Sequence, residues 1–257
     1  NVSHELGHKL QTVPRKIALF NTALGAYGHF SIEHNRGHHR HVSTPEDPAS
    51  SKMGENIYQF ACREMPGAAL RAWRLEADRL LRQNKSVWHF ENEILQALCL
   101  TALVYGSLIS LYGLDMVIVL IPVAIWGAFQ LTSANYVEHY GIQRLKTAHG
   151  NYENCLPHHS WNSNHLVSNL VLFQLQRHSD HHAHPSRSYQ SLRDFPELPR
   201  LPSGYFGMFF LAYFPPLWFR VMDPLLIKTL QGDASRINFL PSAKNRLIKK
   251  FGLVGPH

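Results

Sequence analysis

The sequence predicts an all-α, polytopic membrane protein whose transmembrane helices are joined to large polar segments rich in histidine. Two observations predict this fold class. Residues 94–134 contain a single charged residue, Asp115, so this stretch is apolar enough for a bilayer. The 257 residues also include 18 histidines, many of them grouped three or four positions apart, which is the spacing of one face of a helix.

The composition excludes several other classes of protein. Hydrophobic residues make up 45% and charged residues 17%, which argues against a disordered chain. The three cysteines, Cys62, Cys99 and Cys155, form no CxxC pair, so the sequence indicates neither a disulfide framework nor a thiolate zinc site. The net charge of +7 is compatible with nucleic acid, an anionic membrane surface or acidic partners. No basic motif is interleaved with base-stacking aromatics, so we expect no nucleic-acid partner.

The apolar stretch is long enough for two membrane crossings. A crossing needs about 20 residues, so we expect a transmembrane hairpin over about 94–134 with a tight turn at Gly113–Asp115. Pro122 is expected to kink the second helix without ending it. A pair of buried helices in a soluble core is the alternative, but such helices normally carry a polar stripe.

Two further apolar segments are too short or too interrupted to span. Residues 17–30 are short, and about 205–221 is interrupted by Pro215 and Pro216. We expect both to lie at the membrane interface or to form re-entrant segments, with a buried hydrophobic patch as the alternative.

The basic residues predict the orientation. Residues 31–93 carry nine Lys and Arg, residues 135–204 carry six, and the turn at 113–115 carries none. The positive-inside rule therefore places the segments 1–93 and 135–204 on the cytoplasmic side.

The histidines form three clusters and one isolated candidate. On a helix, residues three and four apart share a face, so each cluster aims two or three imidazoles at a common point. The candidate metal ligands are His4, His8, His34, His38, His39, His139, His178, His181 and His182. Nine imidazoles exceed the needs of one ion, so the sequence predicts two metals with four and five ligands. Imidazole suits Zn, Cu, Fe and Ni, so the spacing does not identify the metal.

The first cluster also permits another interpretation. His4-Glu5-Leu6-Gly7-His8 is an HExxH pattern, the signature of zinc metalloproteases. That interpretation leaves the other seven clustered histidines unexplained.

Four carboxylates adjoin the candidate ligands. A carboxylate that accepts the second ring N–H of a ligating imidazole fixes its tautomer and orientation. We expect this role for Glu5, Glu33, Glu138 and Asp180, with solvated charges as the alternative.

Longer motifs carry a resemblance to a known family. HELGHK, EHNRGHHRHVSTPEDPASS, NYVEHYG and LQRHSDHHAHP follow one another in this order, accompanied by HSWNSNH at 159–165 and PPLWFRVMDP at 215–224. With these motifs the chain resembles the integral-membrane, non-haem diiron alkane 1-monooxygenases within the membrane fatty-acid desaturase and hydroxylase superfamily. The resemblance covers nearly the whole chain.

The resemblance implies a desaturase-like domain over 1–257 in which the nine histidines hold two Fe ions in a cytoplasmic helical site. It implies O2-dependent terminal hydroxylation of medium- to long-chain n-alkanes in the bacterial inner membrane. It also implies rubredoxin as the electron donor, with rubredoxin reductase upstream. No catalytic residue beyond the metal centre is expected, and substrate-binding residues are not identified. The family has several transmembrane helices before the HELGH motif, so we expect the chain to be N-terminally truncated.

Other functions remain open from the sequence. A membrane fatty-acid desaturase or hydroxylase would use the same histidine motifs, and a histidine-rich metal transporter belongs to a different class. Five histidines lie near the motifs without an assigned role: His29, His41, His159, His165 and His184.

Overall fold

The computed structural model describes residues 1–253, and within this range the chain is helical. No β-strand occurs among these residues, where extended segments meet only at isolated bridges such as Met53 with Phe239. The all-α prediction is therefore confirmed. Apart from three single-turn 3₁₀-helices, the helices of the described residues are α1 (Val2–Gly7), α2 (Thr12–Leu24), α3 (Phe30–Ile32), a π-helix (Glu33–His38), α4 (His39–His41), α5 (Ile57–Arg82), α6 (Glu93–Tyr112), α7 (Met116–Glu138), α8 (Leu166–Val171), α9 (His178–Ala183), α10 (Tyr205–Ala212), α11 (Pro215–Thr229) and α12 (Lys244–Phe251).

The chain divides into two compact units. Unit 1 comprises residues 1–40 and 65–132, and unit 2 comprises residues 41–64 and, within the described part of the chain, 133–253. Helices α5 and α7 therefore contribute residues to both units.

In unit 1, α2 packs against α1 and α6. One buried cluster contains Ile32, Ala72 and Ile94, so it joins α3 to α5 and α6. The hydroxyl of Thr101 in α6 donates to the Ala23 carbonyl at 2.7 Å and fixes the approach of α2. The sequence segment 17–30 thus lies largely in a helix packed within unit 1, and whether it also touches a membrane interface stays a prediction.

Helices α6 and α7 coincide with the predicted hairpin. They are 20 and 23 residues long, each has a mean hydropathy of 1.9, and both are long and apolar enough to cross a membrane. Only 11% and 17% of these segments are buried. An apolar helix that the protein leaves uncovered needs an apolar surrounding, which favours a bilayer over a soluble core. The turn lies at 113–115, as predicted, and α7 continues through Pro122.

The core of unit 2 is aromatic. Trp218 packs against Tyr136 and Tyr140, with ring centroids 4.9 and 5.2 Å away. Trp161, from the stretch 159–165, donates its indole N–H to the Tyr140 carbonyl at 2.8 Å. This packing ties the end of α7 to α11 and to the loop before α8.

The chain breaks between α10 and α11 where the sequence predicts it. Helix α10 ends at Ala212, and Pro215 occupies the first turn of α11, where a missing N–H has no cost.

Candidate metal centre

Four candidate ligands converge in unit 1. His4 and His8 come from α1 and its C-terminal end, and His34 and His39 come from the π-helix and α4. Each of the four offers a ring nitrogen within 4.8 Å of the others. The Nε2 atoms of His34 and His39 are 3.1 Å apart. The structure thus brings the first two sequence motifs together at one point.

The π-helix decides which histidines share this cluster. Its hydrogen bonds run from i+5 to i, as when the His39 N–H donates to the His34 carbonyl, so residues five apart lie one above the other. The sequence-based expectation that His34 and His38 point together assumed an α-helix, and it is wrong. His38 is buried but lies outside the set of four.

Burial favours the neutral form of two of these imidazoles, His8 and His34. It lowers the pKa of His8 to about 4, with smaller effects from Lys9 and His38. Burial, followed by the neighbouring imidazoles, lowers the pKa of His34 well below its usual value. A neutral imidazole is the form that binds a metal, so the site favours the ligating state at neutral pH.

Three candidate ligands converge in unit 2. His139, at the C-terminal end of α7, meets His178 and His182 from α9, and their ring nitrogens lie within 4.8 Å of one another. The Nε2 atoms of His139 and His178 are 3.2 Å apart. All three side chains are buried.

Only two of the three histidines of α9 converge with His139. His178 and His182, four residues apart, have ring centroids 4.3 Å from each other, whereas His181 is 5.7 Å from both. His181 is buried but does not belong to the set with His139. The expectation that all three imidazoles of α9 aim at one point is therefore wrong.

The spacing of the nitrogens fits a shared metal ion. A metal–nitrogen bond of about 2.0–2.1 Å at tetrahedral or octahedral angles places two ligand nitrogens about 2.9–3.4 Å apart. The separations of 3.1 and 3.2 Å fall in this range. An all-imidazole donor set suits a transition metal and is unsuited to Mg²⁺ or Ca²⁺, which prefer oxygen.

Polar groups adjoin the imidazoles of unit 2. The carboxylate of Glu138 approaches the nitrogen of His178 that also faces His139, with Oε2 3.1 Å from Nε2. Glu138 therefore does not accept the second ring N–H of His178, Nδ1–H, as the sequence-based expectation required. The Ser160 hydroxyl is 3.5 Å from Nδ1 of His139, the nitrogen that faces away from His178. Ser179 donates to the Ser160 carbonyl at 3.0 Å and so links α9 to this loop. Sequence reasoning missed both serines because their roles arise only from tertiary contacts.

The other three expected carboxylates pair with cations. Lys9 donates to Glu5 at 2.6 Å, Arg71 donates to Glu33, and Asp180 accepts hydrogen bonds from Arg187 and Arg193. The pairing of Glu5 gives no support to a general-base role, so the metalloprotease interpretation is not supported.

Asp180 fastens the ligand-bearing helix α9. Its carboxylate is fully buried and accepts from both the backbone N–H and the guanidinium of Arg193 at 3.0 Å. Burial raises the pKa of this carboxyl, but the hydrogen bonds from Arg193 and Arg187 outweigh burial and lower it. Asp180 thus positions the helix rather than a particular imidazole.

Arg71 fastens the π-helix in unit 1, as Asp180 fastens α9 in unit 2. Its Nε donates to Glu33 at 2.9 Å, and the guanidinium passes directly over Gly37 of the π-helix. A Cβ at Gly37 would lie only 2.7 Å from that Nε. The glycine in the second motif is therefore explained by close packing, which the sequence alone did not reveal.

The five unassigned histidines lie outside both sets. His41 pairs with Glu46 and His159 with Glu153, at 3.0 and 3.1 Å. His165 is exposed, and the nearest carboxylate oxygen of Asp180 lies 3.9 Å from His184. His29 contacts Tyr27, and burial lowers its pKa to about 4.

Comparison with known proteins agrees with this geometry. The fatty acid desaturase family model matches residues 1–222. The chain is 57% identical over 253 residues to an alkane 1-monooxygenase of Ectopseudomonas oleovorans, covering 98% of this chain and 63% of that protein. It is 58% identical over 252 residues to an alkane 1-monooxygenase of Pseudomonas putida, covering 98% and 62%. It is 56% identical over 257 residues to alkane 1-monooxygenase 1 of Alcanivorax borkumensis, covering 99% and 63%.

The chain therefore spans somewhat less than two thirds of the length of these curated relatives. The clustered imidazoles and the family match together indicate a metal centre, and the family and the two apolar helices indicate a membrane protein.

Proposed function

The chain belongs to the fatty acid desaturase family, and from this premise we propose that it hydroxylates the terminal carbon of medium- to long-chain n-alkanes with O2 at a histidine-ligated diiron centre. The convergence of buried imidazoles carries the proposal, since an all-imidazole donor set suits a transition metal. The reaction class follows the alkane 1-monooxygenases that the chain resembles at 56–58% identity.

Nine histidines supply the ligands in this proposal. Four of them gather in unit 1 and three in unit 2, which supports two ions rather than one. His38 and His181, both buried, supply the remaining ligands. The low pKa values of His8 and His34 mean that these ligands need not lose a proton when the metal binds at neutral pH.

The protein's own groups position and shield the centre. The bound iron pair supplies the activation of O2. Ser160 lies at the nitrogen of His139 that faces away from the cluster, and Glu138 lies at the cluster-facing nitrogen of His178. Asp180 and the Glu33–Arg71 pair fix the helices that carry the ligands. No side chain is assigned as a nucleophile, general acid or general base.

The substrate offers no polar group for recognition. An unactivated alkane can be selected only by the shape of an apolar cavity, so the end carbon must be presented by packing alone. An alkane partitions into lipid, and a site attached to helices such as α6 and α7 receives it without passage through water. The Lys and Arg distribution supports an inner-membrane protein with its site on the cytoplasmic side.

The electrons come from a separate protein in this proposal. Cys62, Cys99 and Cys155 are all free thiols and form no CxxC pair, so the described chain does not carry a rubredoxin-type iron site of its own. We assign rubredoxin as the donor, with rubredoxin reductase upstream.

A membrane acyl desaturase or hydroxylase is the second candidate, because the matching family model describes fatty acid desaturases. Membranes containing the chain, supplied with rubredoxin, its reductase, NADH and O2, would be given n-octane or a stearoyl substrate in parallel. We expect 1-octanol from the alkane and no product from the acyl chain. Turnover of the acyl substrate alone would contradict the proposal.

Paired histidine variants make this experiment specific. His139→Ala removes a buried ligand candidate and should abolish 1-octanol formation, whereas His149→Ala changes an exposed histidine and should leave it intact. Equal turnover by both variants would exclude His139 as a ligand.

A further inference from the structure

Helix α8 presents an uncovered apolar face directly before the ligand helix α9. Leu166, Val167, Leu170 and Val171 are 73%, 66%, 72% and 55% exposed, respectively. At 100° per residue these four side chains occupy one side of the helix, while the buried Ser168 occupies the other. A short helix with this division is amphipathic, and its apolar side has no cover within the described part of unit 2.

The polar side of α8 is firmly held by the protein. Gln176 donates to the Asn169 side chain and to the His165 carbonyl at 2.7 and 2.6 Å, which closes the loop around the helix. The Asn169 amide also donates to Asn164 at 2.7 Å. The apolar face is therefore displayed by an ordered, hydrogen-bonded loop and not by a frayed end.

The sequence around α8 lacks charge. Residues 155–176 contain no Lys, Arg, Asp or Glu, in a chain that has 43 such residues elsewhere or 17% of its length. An exposed protein surface in water normally carries charges, so their absence here favours an apolar surrounding. The first charged residue after the loop is Arg177, which adjoins α9.

An apolar strip leads from α8 to the second candidate span. Ser168 of α8 abuts Gly204 at the start of α10, where an added Cβ would lie 2.4 Å from the serine hydroxyl. Helix α10, about 12 Å long, exposes Phe206 and Phe210, and Phe214 follows one turn later. The strip continues along α11 through Leu217 and Val221.

The far end of α10 adjoins α7. The hydroxyls of Tyr213 and Ser133 are 3.3 Å apart, and Ser133 lies in the last two turns of the second candidate span. The exposed strip on α10 therefore starts beside α8 and ends beside α7, a helix that is apolar enough to cross the membrane.

We propose that the apolar face of α8, together with the phenylalanine strip on α10 and α11, lies on the lipid bilayer at the boundary between headgroups and acyl chains. Amphipathic helices bind there through an exposed apolar side. Because α8 is joined to α9 by six residues, this contact fixes the depth of the helix that carries His178 and His182. The proposal rests on the membrane character of the chain and not on its chemistry.

Site-directed spin labels distinguish lipid from the other possible surroundings. The full chain, with its three cysteines replaced, would be labelled singly at Val167→Cys or Leu170→Cys and reconstituted in nanodiscs of phosphatidylcholine and phosphatidylglycerol. Power-saturation EPR would compare collisions with O2, which concentrates in lipid, and with a water-soluble nickel chelate. Ile118→Cys in α7 serves as the lipid reference, and Glu197→Cys, an exposed residue of unit 2, serves as the water reference.

At both positions of α8 we expect collisions with O2 to exceed those with the nickel chelate, as at Ile118. Dominant collisions with the nickel chelate, as at Glu197, would place α8 in water and overturn the proposal. Protection from both reagents would mean that α8 is covered by protein, either a second copy or another chain, and would overturn it equally. Because the readout is independent of turnover, a failure of the hydroxylase assay leaves this result interpretable.

Discussion

A single methyl group at Gly37 should disturb the second histidine motif. The Cβ of Gly37→Ala would lie 2.7 Å from Nε of Arg71 and 3.0 Å from its Cζ. Ordinary contacts between such atoms are about 3.5–4.0 Å, so the guanidinium must retreat by roughly 1 Å. The same Nε donates to Glu33 at 2.9 Å, and this retreat would lengthen the hydrogen bond beyond its useful range.

The magnitude follows from two costs. Overpacking a filled site costs about 1–3 kcal/mol. Both partners of the ion pair are largely buried, with side-chain exposures of 15% for Arg71 and 5% for Glu33. Complete loss of one partner of a buried pair costs about 3–5 kcal/mol, of which a 1 Å displacement incurs only part. We therefore expect Gly37→Ala to lower the free energy of unfolding by about 2–4 kcal/mol.

Chemical denaturation in detergent micelles measures this loss, followed by tryptophan fluorescence and helical circular dichroism. A chelator should be present so that metal binding does not contribute to the stability. The same glycine substitution is then made in a Glu33→Gln/Arg71→Ala background, where the obstructing guanidinium is absent. Gly106→Ala in α6 is the matched control, because no atom lies within 4 Å of its added Cβ.

In the background without Arg71, Gly37→Ala should not lower the free energy of unfolding. It should raise this free energy by up to about 1 kcal/mol, because alanine has a higher helix propensity than glycine. Gly106→Ala should behave in the same way. An equal loss from Gly37→Ala in both backgrounds would refute the packing argument, since the coupling between the two sites would then be zero.

Three further predictions test other parts of the structure. Gly141 has φ +73°, and an added Cβ would meet Leu226 at 2.2 Å, so Gly141→Ala should lower the free energy of unfolding by about 2–5 kcal/mol. In a Leu226→Ala background the part of this loss caused by the clash should disappear, and the part caused by backbone strain should remain. Burial raises the pKa of the Glu76 carboxyl, but hydrogen bonds from Arg79 outweigh burial, so the pKa lies below 4.5. The stabilisation by this carboxylate is therefore present above pH 4.5 and is lost as the pH falls through the lowered pKa. Glu76→Gln should remove this acid-side loss from denaturation curves. Burial raises the pKa of Asp223 from 3.8 to about 6, so stability falls as the pH rises between these values, and Asp223→Asn should abolish that fall; an unchanged pH profile in either carboxylate variant would contradict its assignment.

The apolar helices could be predicted from the sequence because their signal is compositional. Residues 94–134 carry one charge, and the helices Glu93–Tyr112 and Met116–Glu138 occupy this stretch with the turn at the expected residues. The break at Pro215 followed from its missing N–H in the same local way. Such features depend on the chain itself and need no knowledge of tertiary contacts.

The grouping of the ligands could not be predicted in full. The spacing identified the histidine motifs, but the convergence of His34 and His39 depends on a π-helix that the sequence pattern does not predict. The contact between Glu138 and His178 and the approach of Ser160 to His139 join residues far apart in the chain. Periodicity carries no information on such contacts, so the expected partner of each carboxylate was decided only by the fold.

The metal content of the purified chain tests the central claim most directly. Elemental analysis of protein expressed with iron and extracted from membranes should give two irons per chain, with the same content in His149→Ala. His34→Ala, in the unit 1 cluster, and His139→Ala, in the unit 2 cluster, should each contain less iron. Zinc in place of iron, a single ion per chain, or unchanged iron in both ligand variants would contradict the account.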